Sequence, residues 1–216
     1  MLSGEWHQTD NWIINAHEPL LFRSNIPDVT MTTILRNPVD VISSQILKST
    51  YGFSPRTIAG KQEIIDANVN FLHDKKEEHL KESLYQECRM WSGYTYGAML
   101  AIDRIIPYTF EQLTKQTPEV LSTLYSVSEK SDNYRYIDSE FVKTFIENTT
   151  KHAQSDIAFT SGASNGLPIE KPEEYYIIRD AVEKYSMLPA ILDEYEKAKE
   201  AFAKRQNDLG FTDLIL

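Results

Sequence analysis

Arg36, Ser44 and His17 are the residues whose types and spacing best support chemistry in this chain. The run Thr32-Thr33-Ile34-Leu35 is apolar and β-branched, ends in Arg36, and passes directly into Asn37-Pro38-Val39-Asp40, which carries the signals of a helix start. Asn suits the N-cap, Pro suits the first helical position, and an acidic residue in the first turn complements the helix dipole. A cation and the backbone N–H groups of a new helix therefore meet at the carboxyl end of a strand, where α/β folds place ligand sites. The chemistry that fits is anion binding, with a bidentate arginine contact to a phosphate as its physical form. Ser44, about two turns into the helix, adds a hydroxyl. The same residues also read as an ordinary capped helix, except that capping leaves Arg36 without a role.

His17 lies upstream in Ile14-Asn15-Ala16-His17-Glu18-Pro19-Leu20. A neutral imidazole with an ordinary pKa of about 6.5 suits a general base, and it equally suits a histidine that hydrogen-bonds a strand end. His7, His73, His79 and His152 have no metal-ligand spacing with one another or with Cys88, so no metal site is expected. Cys88 reads as an inert thiol on a helix face, since no activating partner is in view. Tyr94, Tyr96, Tyr134, Tyr136, Tyr175 and Tyr176 fit either packing or the wall of an acceptor pocket.

The elements that must position these groups are mostly helical. Trp12 to Ile14, Met31 to Leu35 and Ile105 to Phe110 have the β-branched character of short buried strands. A loop over Tyr51 to Ala59 and a helical excursion from about Gly60 to Asp103 separate the second from the third. Ile64, Ile65, Val69 and Leu72 mark one apolar helix face, and Leu80, Leu84, Cys88 and Trp91 another. Lys75-Lys76-Glu77-Glu78 reads as a solvated face. Thr117-Pro118-Glu119 opens a helix to about Tyr125, and Asp138 or Ser139 opens another to about His152. A Gly/Ser/Asn-rich connector or lid follows between Phe159 and Pro172. A last helical stretch runs from Pro172 to about Arg205, interrupted near Leu188-Pro189.

Bulk properties exclude several function classes. With 216 residues and 41% hydrophobic content the chain can bury a core as a single domain over 1–216. A formal charge of −10 disfavours extended contact with nucleic acid while leaving room for a local basic pocket. The single cysteine fits a reducing compartment, and neither a leader-like segment nor a membrane span is evident, so the expected location is the cytoplasm.

The segment Arg36-Asn37-Pro38-Val39-Asp40-Val41-Ile42-Ser43-Ser44 resembles the 3′-phosphate-binding motif of sulfotransferases, in which a strand ends in Arg-Asn-Pro-x-Asp and a serine follows eight residues after the arginine. His17 falls where that family has the histidine of its Lys-Thr-His-Leu-Pro type segment. Pro107-Tyr108-Thr109-Phe110-Glu111-Gln112-Leu113, with Pro118 and Leu121 beyond, is similar to the family's Tyr-Glu-Asp-Leu strand end and following helix. The resemblance spans roughly His17 to Leu124. It implies a helix-rich α/β fold with a small, mostly parallel sheet of the P-loop/sulfotransferase type. It also implies a sulfuryl donor, 3′-phosphoadenosine-5′-phosphosulfate, whose 3′-phosphate sits on Arg36 and Ser44, and His17 as catalytic base.

The family also has a strand, a Gly/Ser/Thr-rich phosphosulfate loop and a helix ahead of the histidine segment, whereas sixteen residues precede His17 here and contain no such loop. Asn15 stands where many members have lysine, and Ser161 to Gly166 lacks the cations of the family's late Arg-Lys-Gly segment. The expected protein is thus N-terminally truncated relative to the family. Two functions follow from the resemblance. One is transfer of a sulfuryl group to a hydroxyl or amine of a small-molecule or glycan acceptor, with a second copy or a complementing chain supplying the loop. The other is a catalytically inactive nucleotide-binding or protein-interaction module on the same fold.

Overall fold

In the computed structural model, residues 31–52, 62–116, 119–120, 123, 171–211 and 214 are described. The expected strand at Trp12 to Ile14, His17, and the helix expected from Asp138 or Ser139 to His152 lie outside these residues, as does most of the connector before Pro172.

Among the described residues two strands form the sheet: β1 (Met31–Leu35) and β2 (Ile105–Thr109), paired in parallel with Met31 opposite Ile105 and Leu35 opposite Thr109. A parallel pair needs a crossover, and here it is long and helical. It comprises α1 (Pro38–Thr50), α2 (Gln62–Asp74) and α3 (Lys81–Leu100). The short helix α4 (Phe110–Lys115) follows β2 directly, and α5 (Glu173–Lys184) and α6 (Leu188–Asp208) complete the described part. The architecture is helix-rich α/β with a small parallel sheet.

The strand expected over Ile105 to Phe110 ends one residue early because Thr109 is a strong N-cap. Its hydroxyl accepts from the Gln112 backbone N–H at 3.2 Å, and the Gln112 side chain accepts from the Thr109 N–H at 2.9 Å, a complete capping box. The break before Pro189 matches expectation, with α5 ending at Lys184 and Pro189 in the first turn of α6. The crossover is divided at Lys75, which holds a left-handed φ of 59° and redirects the chain after α2.

The main core packs Ile42, Ile46 and Leu47 of α1 against Leu84, Cys88 and Trp91 of α3 and against Ile178, Val182, Ile191 and Phe202 of α5 and α6. Leu80, Leu84, Cys88 and Trp91 are all buried as their spacing predicts, and the Lys75 to Glu78 run is exposed. The α2 face differs from expectation. Val69 is 49% exposed, while Asn68 is fully buried beside Ile64 and Phe71. Asn68 is tolerated there because its amide donates to Ser49 Oγ of α1 at 3.2 Å and its carbonyl accepts from Ser83 Oγ of α3 at 2.7 Å. A buried amide with both ends bonded joins three helices where valine would join none.

Candidate anion site at the end of β1

Parallel register carries Arg36 and Phe110 to the same level, because each follows one member of the Leu35–Thr109 pair. The Arg36 guanidinium carbon lies 4.1 Å from the Phe110 ring centroid, a stacked cation–π contact that holds the side chain flat at the carboxyl end of the sheet. Its main chain is held from the opposite side, where Trp91 Nε1 donates to the Arg36 carbonyl at 3.3 Å. Trp91 is in turn fixed edge-on to Tyr195 of α6, with centroids 6.2 Å apart.

The helix start forms as its sequence dictates, with a consequence for ligand binding. Asn37 caps α1 by accepting the Val39 N–H at 2.9 Å, and Pro38 has no N–H to offer. Two of the first backbone donors expected to face an anion are therefore already used or missing. Side chains must supply the hydrogen bonds instead. Arg36 Nε and Ser44 Oγ are buried and have no hydrogen-bond partner among the described residues. Buried donors of this kind cost free energy, on the order of 1–3 kcal/mol each, unless something bonds to them. Both residues singled out in the sequence thus keep an unused polar atom, Arg36 just ahead of the N-cap of α1 and Ser44 about two turns into that helix.

Asp40 does not face a ligand. Its Oδ1 accepts from Tyr175 Oη at 3.1 Å and pairs with Arg179 Nη1 at 3.2 Å, tying the first turn of α1 to α5. Burial, followed by the Asp40 charge and that hydrogen bond, pushes the Tyr175 hydroxyl up to about 12, so it stays a donor throughout the physiological range.

One cation that the sequence motif does not contain is held near the first turn of α1, and another lies in its last turn. Lys48 follows Ser44 by one helical turn and is exposed. Lys171, just ahead of α5, is half-buried with Nζ 5.3 Å from the Tyr175 ring centroid. Burial lowers the Lys171 pKa, the charges of Arg36 and Lys48 lower it further, and Asp40 opposes them. The i+4 spacing of Ser44 and Lys48 was legible in sequence. Nothing in the sequence links Lys171 to Arg36, 135 positions away.

A cavity of about 160 Å³ opens beside Arg36 between β1, α1 and α3, with Gln45, Glu87, Met90 and Trp91 among its walls. Other candidates resolve into packing. Cys88 is buried, and desolvation with the neighbouring Glu87 charge pushes its thiol up to about 12, the opposite of an activated nucleophile. His79 Nε2 sits 3.2 Å from Asp74 Oδ2 at the turn after α2. Tyr96 and Tyr176 are exposed, while Tyr175 is buried against Asp40. Among the described residues there is no group of three or more His, Cys, Asp or Glu side chains able to hold a metal ion, and no helix long and apolar enough to cross a membrane.

The unused donors fit a phosphate, whose oxygens are acceptors only. No protein-family model, curated protein or solved structure matches the chain.

Proposed function

We propose that this chain is a sulfotransferase-like protein that binds the 3′-phosphate of an adenosine nucleotide on Arg36 and Ser44. The observation that carries the reading is the pair of buried, unpartnered donors, Arg36 Nε at the carboxyl end of a parallel strand and Ser44 Oγ about two turns into the helix that follows. These are the two positions that the resemblance assigns to the phosphate. Stacking on Phe110 orients the guanidinium before a ligand arrives, which reduces the ordering cost of binding.

When bound, 3′-phosphoadenosine-5′-phosphosulfate supplies an activated sulfuryl group. In the catalytic form of the proposal, the hydroxyl or amine of a small-molecule or glycan acceptor attacks that sulfur, its bond to the phosphate oxygen breaks, and His17 takes the acceptor's proton. Sulfuryl transfer, like phosphoryl transfer, depends on donors aimed at the transferring group, each contributing roughly 10²–10³-fold. A second copy or a complementing chain would bring that half of the site. The alternative is a module that binds the nucleotide without turnover. It is favoured by the Ser161 to Gly166 segment, which lacks the cations expected there.

The test compares adenosine 3′,5′-bisphosphate with adenosine 5′-monophosphate by calorimetry, followed by an assay with labelled sulfuryl donor. Tight binding that requires the 3′-phosphate supports the site, and turnover then separates enzyme from module. Equal binding of both nucleotides contradicts a 3′-phosphate site.

A further inference from the structure

We infer that Lys171 makes the Arg36 site selective for a doubly charged phosphate monoester over a singly charged phosphodiester, a conclusion that rests on the nucleotide reading above. The chain as a whole carries −10, so a local excess of positive charge needs a reason. Here the Tyr175 ring and its bond to Asp40 hold the Lys171 ammonium near the first turn of α1, the helix that Arg36 leads into. Asp40 in that first turn is already engaged by Arg179 at 3.2 Å and Tyr175 at 3.1 Å. Among the described residues neither Lys48 nor Lys171 has an ion-pair partner.

Lys171 is held rather than free. Its ammonium lies over the Tyr175 ring, and that ring is pinned by its hydroxyl to Asp40 in the first turn of α1. The partly buried ammonium is placed against like charges, which lowers its pKa. An incoming anion removes that repulsion. A phosphate monoester carries about −1.5 to −2 at neutral pH, whereas a diester carries a single negative charge that Arg36 alone neutralises. The second charge of the monoester is what Lys171 is placed to meet. Lysine acts here as a point charge, while the arginine fork sets the geometry.

The experiment titrates three ligands into the wild-type protein and into Lys171→Gln, Lys171→Arg and Lys184→Gln. The ligands are adenosine 3′,5′-bisphosphate, adenosine 3′-monophosphate and adenosine 2′,3′-cyclic monophosphate. Lys184 is an exposed lysine of α5 paired with Asp180, and it controls for net charge. Expected is a loss of about tenfold or more for both monoesters in Lys171→Gln, from removal of one charge-assisted contact. The cyclic diester should change little, Lys171→Arg should retain most of the affinity, and Lys184→Gln should match wild type. An equal loss for monoester and diester, or no loss at all, overturns the role of Lys171 while leaving the Arg36 site standing. Failure of wild-type protein to bind the bisphosphate overturns the nucleotide reading itself, and this inference with it.

Discussion

Arg36 stacks on Phe110 with its guanidinium carbon 4.1 Å from the ring centroid, and the two residues meet because Leu35 and Thr109 pair in parallel register. One residue follows β1 and the other follows β2, so the contact couples the ends of two strands that are joined by the crossover of residues 36–104. Phe110 thereby supports the side chain proposed to bind the anion. Phe110→Ala should weaken nucleotide binding by about two- to thirtyfold, the range of a cation–π contact. Phe110→Tyr should preserve it. Calorimetry on the two variants checks this, and unchanged affinity in Phe110→Ala would mean that Arg36 needs no such support.

Asn68 carries a second prediction. Its side chain bridges Ser49 and Ser83 inside the α1–α2–α3 packing, with all three residues buried. Asn68→Ala removes both bonds; Ser49 keeps its bond to the Ile46 carbonyl, but the buried Ser83 hydroxyl loses its acceptor, at a cost of about 1–3 kcal/mol. Urea denaturation would show a lower midpoint with an unchanged slope. A loss below about 0.5 kcal/mol would mean that the network does not hold the crossover together.

The case of Asn68 shows where sequence reading stops. Periodicity selects Val69 for the buried face of α2 because it is apolar, and the structure instead buries a polar residue whose partners lie on two other helices. Local signals do better. Asn37, Pro38 and Thr109 mark helix starts by chemistry confined to a few residues, and Pro189 marks another. Arg36 and Ser44 were picked out by the same kind of local signal, and the structure leaves Arg36 Nε and Ser44 Oγ buried without partners among the described residues. Lys171 was not legible, since only the docking of α5 on α1 brings it to Arg36. His17 lies outside the described residues, so its role rests on the resemblance alone.

Gln206 anchors α6 to the sheet. Its Nε2 donates to the Pro107 carbonyl at 2.7 Å and to Gln112 Oε1 at 2.9 Å, and its Oε1 accepts from Gln112 Nε2 at 3.0 Å. Both glutamines are buried. Gln206→Ala should cost about 2–4 kcal/mol, because Pro107 and Gln112 lose partners that water does not replace. It should also loosen α4, and with it Phe110. Hydrogen exchange at the Gln112 amide would report this as lost protection, whereas wild-type protection in the variant would contradict it.

Alkaline pH should destabilise the fold. Burial pushes the Cys88 thiol from 9.0 to about 12, and desolvation pushes the Tyr108, Tyr175 and Tyr195 hydroxyls from 10.0 to about 12. A group whose pKa is raised on folding contributes stability fully below its unfolded value and loses it as pH climbs toward its folded value. The loss therefore begins near pH 9 with Cys88, extends through the tyrosines, and runs to about pH 12. The urea midpoint should fall between pH 8 and pH 10.5, and Cys88→Ala should flatten the first part of that fall. A midpoint constant across the range would show that these groups titrate alike in the folded and unfolded chains.

The central claim is that Arg36 and Ser44 hold a nucleotide's 3′-phosphate, and calorimetric titration of adenosine 3′,5′-bisphosphate into wild-type protein and Arg36→Ala tests it most directly. The predicted result is saturable one-to-one binding by wild type that falls by about a hundredfold or more in the variant, the cost of losing a bidentate charged contact. Thermal unfolding of the two proteins without ligand would show that the variant is folded. Absence of binding by wild-type protein, or equal binding by folded Arg36→Ala, would contradict the claim.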